Sequence, residues 1–201
     1  MRTIRHWTPR YAFNRIRVFI YELTHRSEPW LTADANRIIA SYLRPDHVGV
    51  EFGSGRSTLW LAGRLRHLTS VEDYREWYVK VSEMLTSQGR DNVRYLFCDS
   101  KEQYLGVFDE IDDQSLDFAL VDSAHYRDLC LVRLVPKMKP GGLIVLDNAQ
   151  WYLPCDSSSP AKLSKATAEC ERFSEMVKSW RRVWTTNGVN DTALFFKPDH
   201  Q

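Results

Sequence analysis

At 201 residues and 43% hydrophobic, the chain has the size of one ordinary domain with a substantial core, and two full domains would be cramped. Its 27 Lys and Arg nearly cancel its 26 Asp and Glu, so no global field draws it to nucleic acid or to an acidic membrane, and partners have to be argued from sites. Cys98, Cys130, Cys155 and Cys170 form no C-x-x-C pair, which argues against a zinc knuckle or disulfide framework and fits a reducing cytoplasm; no apolar run approaches the ~20 residues of a membrane span.

The opening stretch, Arg2 to Arg26, interleaves Arg5, Arg10, Arg15 and Arg17 with Trp7, Tyr11, Phe13 and Phe19 and has no acid before Glu22. It reads as a helical extension over residues 1–31, a lid or a dimer arm, with a transit peptide or membrane-surface helix as the alternative. From Thr32, a plausible N-cap, Ile38, Ile39, Tyr42 and Leu43 recur at helical spacing up to Pro45. Short apolar runs then alternate with amphipathic ones: strands at 48–52, 68–72, 93–98, 116–122 and 143–147, helices at 57–66, 74–88 and 126–138, the last ending at Lys139-Pro140-Gly141-Gly142. Strands alternating with helices predict a parallel sheet covered on both faces. The tail predicts a helix over 165–179 and two strands, 182–186 and 192–196, joined by a polar turn into a hairpin that closes the sheet.

Parallel sheets bind ligands beyond the carboxyl ends of their strands. After the first strand stand Gly53, Ser54, Gly55 and Ser57, where glycines permit a tight turn and let backbone amides approach a ligand; after the second stand Glu72 and Asp73, suited to ribose hydroxyls. Thr58 replaces the third glycine of a dinucleotide G-x-G-x-x-G, which makes an NAD enzyme the minority reading.

The run Glu51-Phe52-Gly53-Ser54-Gly55 resembles the first motif of the Rossmann-like, class I S-adenosylmethionine-dependent methyltransferases. The resemblance spans roughly Thr32 to Phe196. It implies an α/β, doubly wound, mostly parallel seven-stranded sheet with an antiparallel C-terminal hairpin, residues 32–201 forming the cofactor-binding domain. It also implies that Glu51 and the glycine loop face the methionine end, that Glu72 holds the ribose, and that Asp99-Ser100 lies beside the adenine.

The fourth and fifth strands end in Asp122-Ser123-Ala124-His125 and Asp147-Asn148-Ala149-Gln150-Trp151. Two carboxylates and an amide oxygen are a donor set for Mg²⁺, although Asp122 could equally bind the methionine amino group and Asp147-Asn148 could simply end a strand. These segments resemble the cation-dependent O-methyltransferases of the catechol and caffeoyl-coenzyme A type, which implies a metal on Asp122, Asp147 and Asn148. Where that group usually carries a catalytic lysine this chain has His125, an imidazole able to accept a hydroxyl proton at neutral pH. Trp30, Trp151, Tyr152 and the 154–160 loop are candidates for an aromatic-walled pocket.

The expectation is therefore methyl transfer from S-adenosylmethionine to a small hydroxylated molecule, with Mg²⁺ orienting the acceptor, Asp122 touching both centres and His125 as base, in a cytoplasmic protein that is a candidate homodimer. The rival readings are a metal-independent sugar or amine methyltransferase and a binding module without turnover. Nucleic acid is disfavoured, since no Asn-Pro-Pro-Tyr-like motif is present.

Overall fold

The computed structural model describes residues 8–160 and 165–199. Helix α1 (Pro9–Thr24) precedes α2 (Ala33–Tyr42), whose N-cap is Thr32: its side chain accepts from the Ala35 amide. The chain then runs through β1 (Val48–Phe52), α3 (Arg56–Ala62), β2 (His67–Glu72), α4 (Arg75–Ser87), β3 (Val93–Phe97) and α5 (Lys101–Gly106). It continues through β4 (Leu116–Val121), α6 (Arg127–Lys137), β5 (Met138–Asp147), α7 (Ala168–Met176), β6 (Arg181–Thr186) and β7 (Asp191–Phe196).

The seven strands form one sheet in the order β3-β2-β1-β4-β5-β7-β6; β1 to β5 are parallel, and β7 runs against both β5 and β6. Period-two alternation in β1 sends Val50 and Phe52 to one face and Gly49 and Glu51 to the other. The first face buries Tyr104, Phe108, Leu131 and Phe173 under α5, α6 and α7; the second buries Ile39, Leu61, Phe118, Leu120 and Leu194 against α2 and α3. The order reverses between β1 and β4, which opens the crevice at their carboxyl ends where ligands bind such sheets.

Three local readings change. The segment Lys139-Pro140-Gly141-Gly142 is not the end of a helix but part of β5; a register shift between Leu116 and Phe118 and a Gly141 φ of +76° accommodate it. Helix α7 covers 168–176 rather than 165–179, starting where the Thr167 hydroxyl accepts from the Cys170 amide. Helix α5 and the 3-10 turn at Val107–Glu110 were not expected, being too short to show a period. No helix among the described residues is long and apolar enough to cross a membrane.

Candidate active site

The glycine loop lies flat on the neighbouring strand end. Gly53 has a φ of +90°, and a Cβ there would stand 2.6 Å from the Ser123 amide nitrogen and 2.7 Å from the Asp122 carbonyl. Beneath the loop, Glu51 is fully buried and accepts from the Thr58 hydroxyl (2.6 Å) and the Ser70 hydroxyl (2.7 Å), while Thr58 accepts from the Gly55 amide (2.9 Å). Ser57 is buried beside them, so Glu51, Ser57 and Thr58 lie beneath the loop. One oxygen of Glu51, Oε1, is buried with no partner among the described residues.

Burial raises the Glu51 carboxyl from 4.5 to about 7, against the lowering effect of its hydroxyl donors. The folded chain therefore keeps a proton that the unfolded chain releases between pH ~4.5 and ~7, and stability falls as pH rises through that window. Glu51→Gln keeps an acceptor for the hydroxyls and removes this titration. It is expected to melt like the wild type near pH 5 and to gain, on the order of 3 kcal/mol, above pH 7. Thermal melts at the two pH values test this; a pH slope as steep in the variant as in the wild type would refute it.

Glu72, at the end of β2, is nearly buried and well supplied with donors. Its Oε2 accepts from the amide (2.9 Å) and hydroxyl (2.6 Å) of Ser54, and its Oε1 from the amides of Asp73 (3.1 Å) and Tyr74 (2.9 Å). A carboxylate held this rigidly at the sheet crevice suits a ribose diol, with the Ser54 hydroxyl as the donor it would exchange. Asp99 and Ser100 follow β3, but their visible role is local: Ser100 caps α5 by accepting from the Gln103 amide, and the Asp99 amide donates to Gln103 Oε1.

Arg127, which the sequence reading missed, dominates the strand ends. Tyr126 adopts the left-handed conformation (φ 59°), and α6 starts after it, turning Arg127 back under β4 and β5. The residue is 6% exposed. It donates to the Ser123 carbonyl, to the Asp122 carbonyl (3.1 Å) and carboxylate (2.8 Å), to the Asp147 carbonyl (2.5 Å) and to Asn148 Oδ1 (3.2 Å). A cation in the first turn opposes the helix dipole, and that conflict was the one available hint of a specific partner.

The oxygens expected to hold Mg²⁺ are engaged within the protein. Asp122 and Asn148 spend side-chain oxygens on Arg127, and the Asp147 carboxylate accepts from the Thr192 hydroxyl (2.9 Å). The three residues do converge, but on a guanidinium, and no grouping of three or more His, Cys, Asp or Glu suited to a metal occurs among the described residues. A divalent ion at that point would meet a fixed positive charge, so the donor set does not fit one. Burial raises the carboxyls of both Asp122 and Asp147; for Asp147 the Asp122 charge adds to burial and brings it to about 8, while Arg127 pulls both down.

His125 follows β4 and is not among the residues lining the cavity over Asp122 and Asp147. Its Nδ1 pairs with Asp73 (2.7 Å) and its side chain is 68% exposed, so it bridges from the β4 loop to the end of β2 across the glycine loop. The aromatic pocket takes shape without it. Trp30, Trp151, Pro160, Asp122, Asp147 and Asn148 line a cavity of about 510 Å³ whose roof is α1. Tyr152 turns away and packs near Arg127, 5.5 Å from its guanidinium. Arg56, directly after the glycine loop, stacks on Trp30 at 4.7 Å and has a buried Nη1 with no partner among the described residues, a donor suited to a carboxylate.

With this geometry in view, the fold is that of a class I S-adenosylmethionine-dependent methyltransferase. Residues 50–149 match the family model of a methyltransferase domain. Among solved structures, the chain is similar to the O-methyltransferase TomG of Streptomyces achromogenes, involved in tomaymycin synthesis and solved with S-adenosylmethionine (18% identity, 94% of this chain and 90% of that one, TM-score 0.60). It is also similar to an rRNA methylase of Streptococcus thermophilus (13%, 81% and 93%, 0.58) and a precorrin-6y C5,15-methyltransferase of Geobacter metallireducens (15%, 83% and 90%, 0.54). A comparison with curated proteins found no match.

Proposed function

We propose that this chain methylates a hydroxyl of a small, sugar-like or phenolic acceptor with S-adenosylmethionine, and does so without a divalent cation. The observation that carries the reading is Arg127, whose guanidinium stands where the cation-dependent reading needs a metal. When bound, S-adenosylmethionine supplies an electrophilic sulfonium methyl. The glycine loop would hold its methionine end, with Arg56 on the carboxylate, and Glu72 its ribose; the His125–Asp73 pair spans the same groove.

The acceptor sits between Trp30 and Trp151, over the two aspartates. Two carboxylates against one guanidinium leave an excess negative charge, which burial makes costly, so both carboxyls bind a proton more readily than an exposed aspartate does. Such a pair is suited to take the proton of an attacking hydroxyl, the role first expected of His125. Arg127 fixes the Asp122 carboxylate and the Thr192 hydroxyl that of Asp147, and most of the rate comes from alignment.

The test is transfer from labelled S-adenosylmethionine to sugars, phenols and amines, each with and without excess chelator. Transfer to a hydroxyl compound at an unchanged rate in chelator is the expected result. Transfer that stops with chelator and returns with Mg²⁺ would overturn the cation-free reading, and transfer to amines alone would overturn the hydroxyl acceptor.

A further inference from the structure

Helix α1 is built inside out. A surface helix normally turns its apolar stripe to the core and its polar face to water. In α1 the stripe Phe13, Ile16, Ile20 and Leu23, with Phe19 beside it, faces solvent, each side chain between 46% and 60% exposed, and no residue of the helix is buried. The polar face turns inward instead: Asn14 rests on Gly188 of the β6–β7 turn, the Tyr21 hydroxyl donates to Glu28, and Arg15 and Glu22 roof the 510 Å³ cavity.

The borders of the stripe say what covers it. Arg10 and Arg17 flank Phe13 on one side, Arg17 lying 5.9 Å from its ring centroid, and Arg15 stands one turn before Phe19 on the other; all three are exposed. The single acid of the helix, Glu22, is on the cavity side. Residues 1–27 hold six arginines and that one acid, although the whole chain is only +1. Two such faces brought together would place arginine borders close to each other, a like-charge contact, whereas an apolar band edged by arginines complements an anionic lipid surface.

From this we infer that α1 docks the protein, lying flat, on the surface of an anionic bilayer, with Phe13, Ile16, Phe19, Ile20 and Leu23 at the headgroup–acyl boundary and its polar face still roofing the cavity. Its 16 residues would extend about 24 Å along the surface. The inference is independent of the methyl acceptor and of the cation.

Co-sedimentation with vesicles of phosphatidylcholine, with and without phosphatidylglycerol, tests it on the full chain. Binding is expected to the anionic vesicles and not to the neutral ones, to weaken with salt, and to drop more than about tenfold in the double variant Ile16→Glu, Ile20→Glu. Neither side chain belongs to the core, so the variant is expected to keep the wild-type melting temperature. Absence of binding to anionic vesicles, or binding unaffected by the double variant, overturns the inference. So does a wild-type dimer in sedimentation velocity that the double variant splits while vesicles bind neither protein, an outcome that assigns the face to a second copy.

Discussion

Arg127→Met is expected to destabilise the fold by about 3–5 kcal/mol and to remove methyl transfer, because it removes the buried partner of a partly buried ion pair. The side chain fits in length, but its loss leaves the Asp122 and Asp147 carboxylates, already burdened by burial, without their shared positive charge. It also takes a donor from three strand-end carbonyls, those of Asp122, Ser123 and Asp147. For a chain of this size the loss corresponds to a fall in melting temperature of roughly 10 °C. Arg127→Lys keeps the charge but not the planar fork, so it is expected to recover part of the stability and little of the activity. Melting curves and initial rates for both variants decide the matter; a methionine variant with wild-type values in both would show that the guanidinium neither holds nor serves the site.

Gly53→Ala is expected to weaken binding of S-adenosylmethionine by more than tenfold and to destabilise the protein by about 2–4 kcal/mol, combining left-handed strain with overpacking. The added methyl would meet backbone on the far side, the Ser123 nitrogen and the Asp122 carbonyl, and neither can swing away as a side-chain end could. Relief requires the glycine loop to lift off β4, which separates the Glu72 and Asp122 halves of the crevice. Gly89→Ala is the natural control: its φ is also positive (+59°), but nothing among the described residues lies within 4 Å, so only the conformational cost of about 1 kcal/mol applies. Calorimetric binding and thermal melts of the two variants separate crowding from strain, and equal effects at Gly53 and Gly89 would refute the close approach.

The alternation of strands and helices from Val48 to Asp147 was legible because each run carried its own period and its own terminators, and the glycine loop because only a few residue types tolerate its geometry. What escaped depended on contacts between strand ends. Arg127 reads as an ordinary helix residue until Tyr126 is seen in a left-handed turn that aims it at Asp122, Asp147 and Asn148. Oxygen donors on neighbouring strand ends suit a guanidinium as well as a metal, and linear spacing does not tell the two apart. His125 reaches Asp73 because β2 and β4 flank β1 on opposite sides, a neighbourhood that strand order creates and linear spacing hides. The inverted polarity of α1 was present in the sequence as an amphipathic stripe; which side would face outward was not.

The position of β7 carries a consequence for how the molecule is made. Although it follows β6 in the chain, β7 lies between β5 and β6, and it supplies Thr192, the donor to Asp147. Until residue 196 has left the ribosome, β5 remains an open edge and β6 has no partner strand. A nascent chain that has already emerged past α6 therefore exposes an apolar strand, Leu143 to Leu146, in the form most prone to pair with a neighbour. Of the seven strands, β7 is made last, and until it is in place the growing chain carries an unprotected apolar edge beside Asp147.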